Sequence, residues 1–273
     1  MESNIPEITQ LSDVKTASPE VKQKFPTETI DLPSKGMLYP KEHPLSSGTV
    51  ELKYMTAKEE DILSTQSYIT KGTVLDELLQ SIIVTKFDYN TLLLGDRNAI
   101  MIAARALGYG DMYQTTITKP NGTRMDLTIN LREDIDYLEL NEELITPGEN
   151  KFQFTTPRSG HEIEFSLLTV GKYNKLEKAL KSYKKIGTKV RDKQMTTRLR
   201  YMITSVNGDA SDKTIATFVD TMLALDARAF RDYIASVQPD LDLNLETEDP
   251  ASGDTFRGKV AVGVDLFYPD FKK

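Results

Sequence analysis

A short stretch repeated within the chain constrains the fold more than any other feature. SGTVELKYMT at residues 47 to 56 returns as SGHEIEFSLLT at residues 159 to 169, with one residue inserted. Each copy sets Ser-Gly before a strand of alternating pattern and ends at a Thr from which a helical segment follows. Each helical region leads to alternating strands around a turn, Pro120-Asn121-Gly122 in the first half and Pro250-Ala251-Ser252-Gly253 in the second. The expected fold is therefore α+β with two pseudo-repeated units, each made of strands, a small helical bundle and a β-hairpin. A chain of 273 residues is long enough for two such domains. The expected division is a polar N-terminal tail over 1–27, an N-terminal α+β domain over 28–148 and a C-terminal one over 149–273.

The local signals are specific. Val50, Leu52 and Tyr54 alternate with Glu51 and Lys53 as in a half-buried strand. Thr56 and Glu59 have the spacing of a capping box, in which the Thr hydroxyl meets the Glu59 amide, and predict a helix from Ala57 to about Thr70, stopped at Gly72. Leu75, Leu78, Leu79, Ile82 and Ile83 make the apolar face of the next helix, capped by Thr73. A third helix, about Thr91 to Leu107, is apolar almost all round and closes at Gly108-Tyr109-Gly110. The Asn121-Gly122 pair marks a hairpin over Met112 to Leu131, and the acidic stretch Glu133 to Asn150 reads as a linker. In the second half Phe152, Phe154, Ile163, Phe165 and Leu167 predict strands. An amphipathic helix carries Tyr173, Leu176, Leu180, Tyr183 and Ile186, and another carries Met195, Leu199, Met202 and Val206. Ser211 or Asp212 caps one later helix and Asp226 another that reaches about Val237, before a hairpin over 241–268.

Composition removes whole classes of function. There is no cysteine, which excludes disulfides, thiol nucleophiles and cysteine-ligated metal. No stretch approaches the roughly 20 apolar residues of a membrane span, and Met1 to Gln10 lacks a signal-peptide pattern, so the protein is expected to stay where it is made, away from membranes. His43 and His161 have no triad or metal-ligand spacing around them, and read as hydrogen-bonded loop residues. No catalytic, cofactor-binding or metal-ligating set emerges.

Two clusters remain as candidate sites. Asp96 and Arg97 lie on the apolar third helix, where charges must be paired to be tolerated; they are either a functional site or, as favoured here, a structural ion pair. From Lys172 to Arg200, eleven Lys or Arg face two acids, a net of +9 that leaves −16 on the rest of a chain whose total is −7. This basic helix is a solvated or self-paired face, a protein interface or a nucleic-acid contact, the last disfavoured by the acidic total and the lack of a stacking platform. Its lysines Lys172, Lys175, Lys178, Lys181 and Lys185, with the apolar Leu32, Met37, Leu38 and Tyr39 of a turn-rich loop at 31–40, are the candidate interface.

Several of these segments, taken in order, resemble one family. LPSKGMLYP at 32 to 40, VELKYMTAKEEDIL at 50 to 63, GTVLDELL at 72 to 79, LLLGDRNAI at 92 to 100, YGDMY at 109 to 113 and DARAFRDYIASVQPDLDL at 226 to 243 are similar to the baseplate hub protein family of T-even-type contractile-tailed bacteriophages. The resemblance implies a non-enzymatic virion or tail-assembly protein at the baseplate hub, made in the host cytoplasm. It implies contacts with other baseplate, hub and tail proteins, in multiple symmetric copies. It also implies a Cys-Pro-x-Cys-Gly zinc pattern in one or both hairpins. Here Asp249-Pro250-Ala251-Ser252-Gly253 has Asp and Ser in the cysteine places and Lys119-Pro120-Asn121-Gly122 is a shortened form, so no zinc and no other cofactor is expected. The alternatives are a hub assembly chaperone absent from the mature virion, and a nucleic-acid-binding module acting through 172–200.

Overall fold

The structure, a computed structural model, describes residues 26–119, 121–185, 193–248, 253 and 255–268. Most of the expected tail, Pro120, the turn residues Asp249 to Ser252 and the middle of the basic segment at 186–192 lie outside the described residues, as does the side chain of Lys185. The chain is a mixed α+β fold with eight α-helices and four small antiparallel sheets among the described residues.

Strand β1 (Thr27–Asp31) pairs antiparallel with β2 (Thr49–Lys53), setting Ile30 opposite Val50. Only Ile30 in β1 is apolar, which suits an edge strand. The helix expected over 57–70 is broken into α1 (Ala57–Ser64) and α2 (Gln66–Lys71). At the break Thr65 is extended, and the Ser64 and Thr65 hydroxyls donate to the Glu60 and Asp61 carbonyls, competing with helix continuation. Helix α3 (Val74–Ile82) buries Leu78, Leu79 and Ile82, as its spacing predicts. A 3-10 turn at Tyr89–Thr91 then precedes α4 (Leu94–Tyr109), which starts later than Thr91 because Leu93 is extended and bridges to Thr169. The hairpin of β3 (Met112–Thr118) and β4 (Arg124–Asn130) closes at the predicted turn.

In the second half β5 (Phe152–Thr155) and β6 (Glu162–Phe165) pair and lead to α5 (Val170–Lys185) and α6 (Gln194–Met202). Val206 does not belong to α6. Ile203–Val206 forms β7, third strand of the β5-β6-β7 sheet, because the free edge of β6 satisfies its backbone and sets Val206 beside Ile163. Helices α7 (Asp212–Thr221) and α8 (Ala224–Val237) follow, then the hairpin of β8 (Asn244–Glu248) and β9 (Thr255–Lys259). Ser211 caps α7 as expected, its hydroxyl accepting from the Thr214 amide. Asp226 is not the cap of α8; it is the third residue of that helix, with Leu223 in the capping position.

The buried residues of both halves form one continuous cluster, with α4 inside it. Leu94 donates to the Leu168 carbonyl and Val170 to the Leu92 carbonyl, joining the start of α4 to the start of α5. The Tyr268 hydroxyl bonds the Leu63 carbonyl, returning the C-terminal end to α1. Gly95 is required by this packing: a Cβ there would sit 1.7 Å from the Pro239 carbonyl oxygen. The stretch read as a linker is a fixed strap, with Leu138 donating to Asp240, Asn141 to Ser236, and Asp242 to Asp136. No helix among the described residues is long and apolar enough to cross a membrane.

The strand, helix and helix junction of the first half meets at Glu59, which is fully buried. Its carboxylate accepts Lys53 Nζ at 2.7 Å, Ser81 Oγ at 2.6 Å and the Thr56 amide at 2.9 Å. The Thr56 hydroxyl also donates to this carboxylate, at 2.6 Å. Burial alone would raise its pKa, but the bonds from Lys53, Ser81 and Thr56 draw it down to about 2. A lowered folded-state pKa means that its stabilisation is complete above the ordinary value of 4.5 and is lost as pH falls toward 2. Urea melts of Glu59→Gln should therefore show lower stability than wild type at pH 7 and a difference that shrinks progressively below pH ~4.5. Gly95→Ala should lower stability by about 3 kcal/mol in the same assay, since neither α4 nor the 238–240 segment can yield without opening the core.

Candidate protein interface

The loop at 31–40 is held by one side chain of α4. Asp96, the third residue of that helix and fully buried, accepts the Ser34 amide at 3.0 Å, the Ser34 hydroxyl at 2.7 Å and the Tyr39 hydroxyl at 2.6 Å. Tyr39 in turn accepts the amide of Leu93, which would otherwise be an unpaired donor at the helix start. Three donors and the positive end of the helix favour the carboxylate, while burial pushes its pKa up to about 6. With the clasp closed, Leu32, Leu38 and Tyr39 are no more than 4% exposed and Met37 is half-buried. These four residues are thus a contact of the chain with itself, because their apolar side chains are consumed by its own core.

Asp96 and Arg97 do not pair with each other. Consecutive helical residues point about 100° apart, so the two side chains leave α4 on different sides. Arg97 reaches α3, where its Nε and a terminal nitrogen lie 3.0 and 2.9 Å from Asp76 Oδ1, and Tyr89 and Asn174 donate to the same carboxylate.

A second carboxylate does for the other half what Asp96 does for the first. Asp226 is fully buried and accepts the Arg158 amide at 2.7 Å and the Ser159 amide at 3.2 Å. Burial alone would raise its pKa, but these amides hold it below the ordinary aspartate value. The clasped turns share a pattern, Leu32-Pro33-Ser34-Lys35-Gly36 and Thr156-Pro157-Arg158-Ser159-Gly160, each ending in a left-handed glycine. Each clasping aspartate is the third residue of the helix that enters a hairpin, α4 before β3 and α8 before β8. Sequence reasoning missed this pair, although its signal was available in the Pro-x-x-Gly spacing and in the aspartates of LLLGD and LALD.

The lysines of α5 divide. Lys172 turns inward, half-buried, with its Nζ bonded to Ser166 Oγ; burial, with help from Lys175, lowers its pKa. Lys175, Lys178 and Lys181 are exposed and make no ion pair with described residues. Lys178 and Lys181 line a cleft of about 510 Å³ between α3, α4 and α5, together with Lys71, Arg97 and Arg198. Its acids are Asp76, taken by Arg97, Asp240, which accepts from Asn98, and Glu177. The histidines are structural: His43 bonds Thr91 and stacks on Tyr39 at 4.8 Å, and His161 bonds Asn207. No group of three or more His, Asp or Glu among the described residues is placed to hold a metal ion.

The buried polar side chains thus serve packing, and the exposed charge is arranged in faces. Against known protein families, one model matches, that of the T4 bacteriophage base plate protein, over residues 26–255. The chain belongs to this family. Membership gives it a structural role at the phage baseplate, in contact with other baseplate proteins. The matched span opens just before β1 and includes both clasped turns and both aspartates. No curated protein and no solved structure matches significantly.

Removing the first clasp has a defined cost. Asp96→Ala leaves a buried amide and two hydroxyls without their acceptor, and should lower stability by about 3 kcal/mol in chemical denaturation at pH 7. The pKa of wild-type Asp96 is raised on folding from an ordinary value of 3.8, so its share of stability is present below pH ~3.8 and lost as pH rises through about 6. Asp96→Asn, which cannot ionise, should remove that loss, so that its stability relative to wild type improves between pH 4 and pH 7.

Proposed function

We propose that this chain is a non-enzymatic structural component of the hub region of a contractile phage tail baseplate, present in the virion in several symmetric copies. It is built from two copies of one α+β unit, 28–148 and 149–273, that meet different neighbours. The observation that carries the reading is the family match over residues 26–255 on a chain whose fully buried acids among the described residues, Glu59, Asp96 and Asp226, are engaged in internal hydrogen bonds. What remains for outside contact is shape and surface charge. The collinear series from LPSKGMLYP to DARAFRDYIASVQPDLDL supports the hub assignment. The paired turn-and-aspartate clasps support the duplication, because the same three-part device stands at the same place in each unit.

The exposed lysines of α5, Lys175, Lys178 and Lys181, are the proposed contact face of the second unit. Quantitative mass spectrometry of purified tails and of hub intermediates tests the role. The chain should be found in both, in a fixed ratio to other baseplate proteins. Presence in the intermediates with absence from finished tails would instead make it an assembly chaperone.

A further inference from the structure

The cationic cleft has a counterpart on the same molecule. The strap at 133–143 exposes Glu133, Asp134, Asp136, Glu139, Glu142 and Glu143, and its ion pairing within the described chain is limited to Glu142 with Lys35. Its backbone is pinned to residues 236–242, so these carboxylates project from a fixed surface. Beside them Tyr137, Leu138 and Leu144 are each about 40% exposed, and an apolar groove of about 340 Å³ opens between the strap and α4. The strap therefore offers apolar area within an acidic rim, the composition of a protein-binding surface.

We infer that a second copy of this chain is the partner of the cationic cleft, with the acidic strap of one copy docking on Lys71, Lys178, Lys181 and Arg198 of the next. The inference rests on the reading of the chain as a protein-contact component, and not on its place in the hub. Three observations carry it. Among the described residues that line the cleft, Asp76 is taken by Arg97 and Asp240 by Asn98, which leaves Glu177 as the one acid facing these cations. The strap has a matching excess of unpaired acid. The two faces flank different sides of α4, with Arg97, Asn98 and Met101 lining the cleft and Ala99, Ile102 and Ala103 lining the groove beside the strap. Faces directed to different sides of one subunit do not meet in a twofold pair, and their contact is head-to-tail, which propagates into rings or filaments.

Sedimentation velocity of the full chain, together with two charge-reversed variants, tests this. Lys178→Glu with Lys181→Glu spoils the cleft; Glu139→Lys with Glu143→Lys spoils the strap. All six positions of the strap acids and both lysines are exposed, and thermal melts matching wild type establish that the variants fold. Wild type should self-associate at tens of micromolar in low salt, with affinity falling by roughly tenfold or more on raising the salt about tenfold. Each variant alone should be monomeric. Mixed, they should associate again, because the intact strap of one meets the intact cleft of the other and the reversed cleft and strap are complementary in turn. A wild type that stays monomeric in low salt, an oligomer that the reversals leave intact, or a mixture that stays monomeric overturns the proposal. A wild-type monomer still found in purified tails would sink self-association alone and leave the structural role standing.

Discussion

The carboxylate of Asp96 is the constraint from which the first half of the molecule follows. A buried carboxylate without partners is too costly to keep, so Asp96 must gather donors, and the nearest chain able to supply them is the loop at 31–40. Drawing in the Ser34 amide and hydroxyl and the Tyr39 hydroxyl carries Leu32, Leu38 and Tyr39 under the surface, where they close the core over α4. Tyr39 then occupies the Leu93 amide, which fixes where the helix begins and leaves Leu93 extended for its bridge to Thr169. One acid thus orders a loop, starts a helix and sets the seam between α4 and α5.

How far the sequence discloses this depends on the range of each interaction. The capping pair Thr56 and Glu59, the leucine face of α3, the Asn-Gly turn and the Ser211 cap are contacts within a few residues, and periodicity and spacing reveal them. The partners of Asp96 and Arg97 are not local. Adjacency on a helix separates side chains, and it is the tertiary neighbours, Ser34 and Tyr39 on one side and Asp76 on the other, that decide where each charge goes. Strand β7 was hidden for a similar reason: ITSV after a helical pattern looks like more helix until the unpaired edge of β6 is known. Of the proposed interface, the exposed lysines of α5 were legible as a charge run, whereas the burial of Leu32, Leu38 and Tyr39 was not, since an apolar loop looks the same whether it covers its own core or another protein's.

The repeated strand and the two clasps together give the proposed duplication a physical meaning. A Pro-x-x-Gly turn pinned by an aspartate at the third position of a helix is a self-contained solution to joining a hairpin to a helix start. Both ends are satisfied by one another, so the device carries no requirement from its surroundings. The two clasps differ in their detail. The first uses hydroxyls as well as an amide and is extended by Tyr39, while the second rests on two backbone amides. A clasp that depends mainly on backbone donors tolerates side-chain change around it, so the surface near Asp226 can vary without loosening the frame.

A separate constraint keeps Lys175, Lys178 and Lys181 of α5 on the surface. The basic run at 172–200 is neutralised internally where an acid lies within reach, as at Arg200 with Asp220, but two of the three acids lining the cleft are engaged elsewhere, Asp76 by Arg97 and Asp240 by Asn98. Both bonds stabilise the seam between α4 and its neighbours, so releasing either acid to a surface lysine would exchange a part-buried hydrogen bond for a solvent-screened ion pair, a net loss. The same economy holds at the strap, where backbone bonds to 236–242 fix the acids at a distance from any lysine except Lys35. Among the described residues, internal packing therefore keeps the cleft lysines and the strap acids apart within one molecule. The proposed contact between copies brings the two together, and a particle assembled from repeated subunits is the setting in which it can occur.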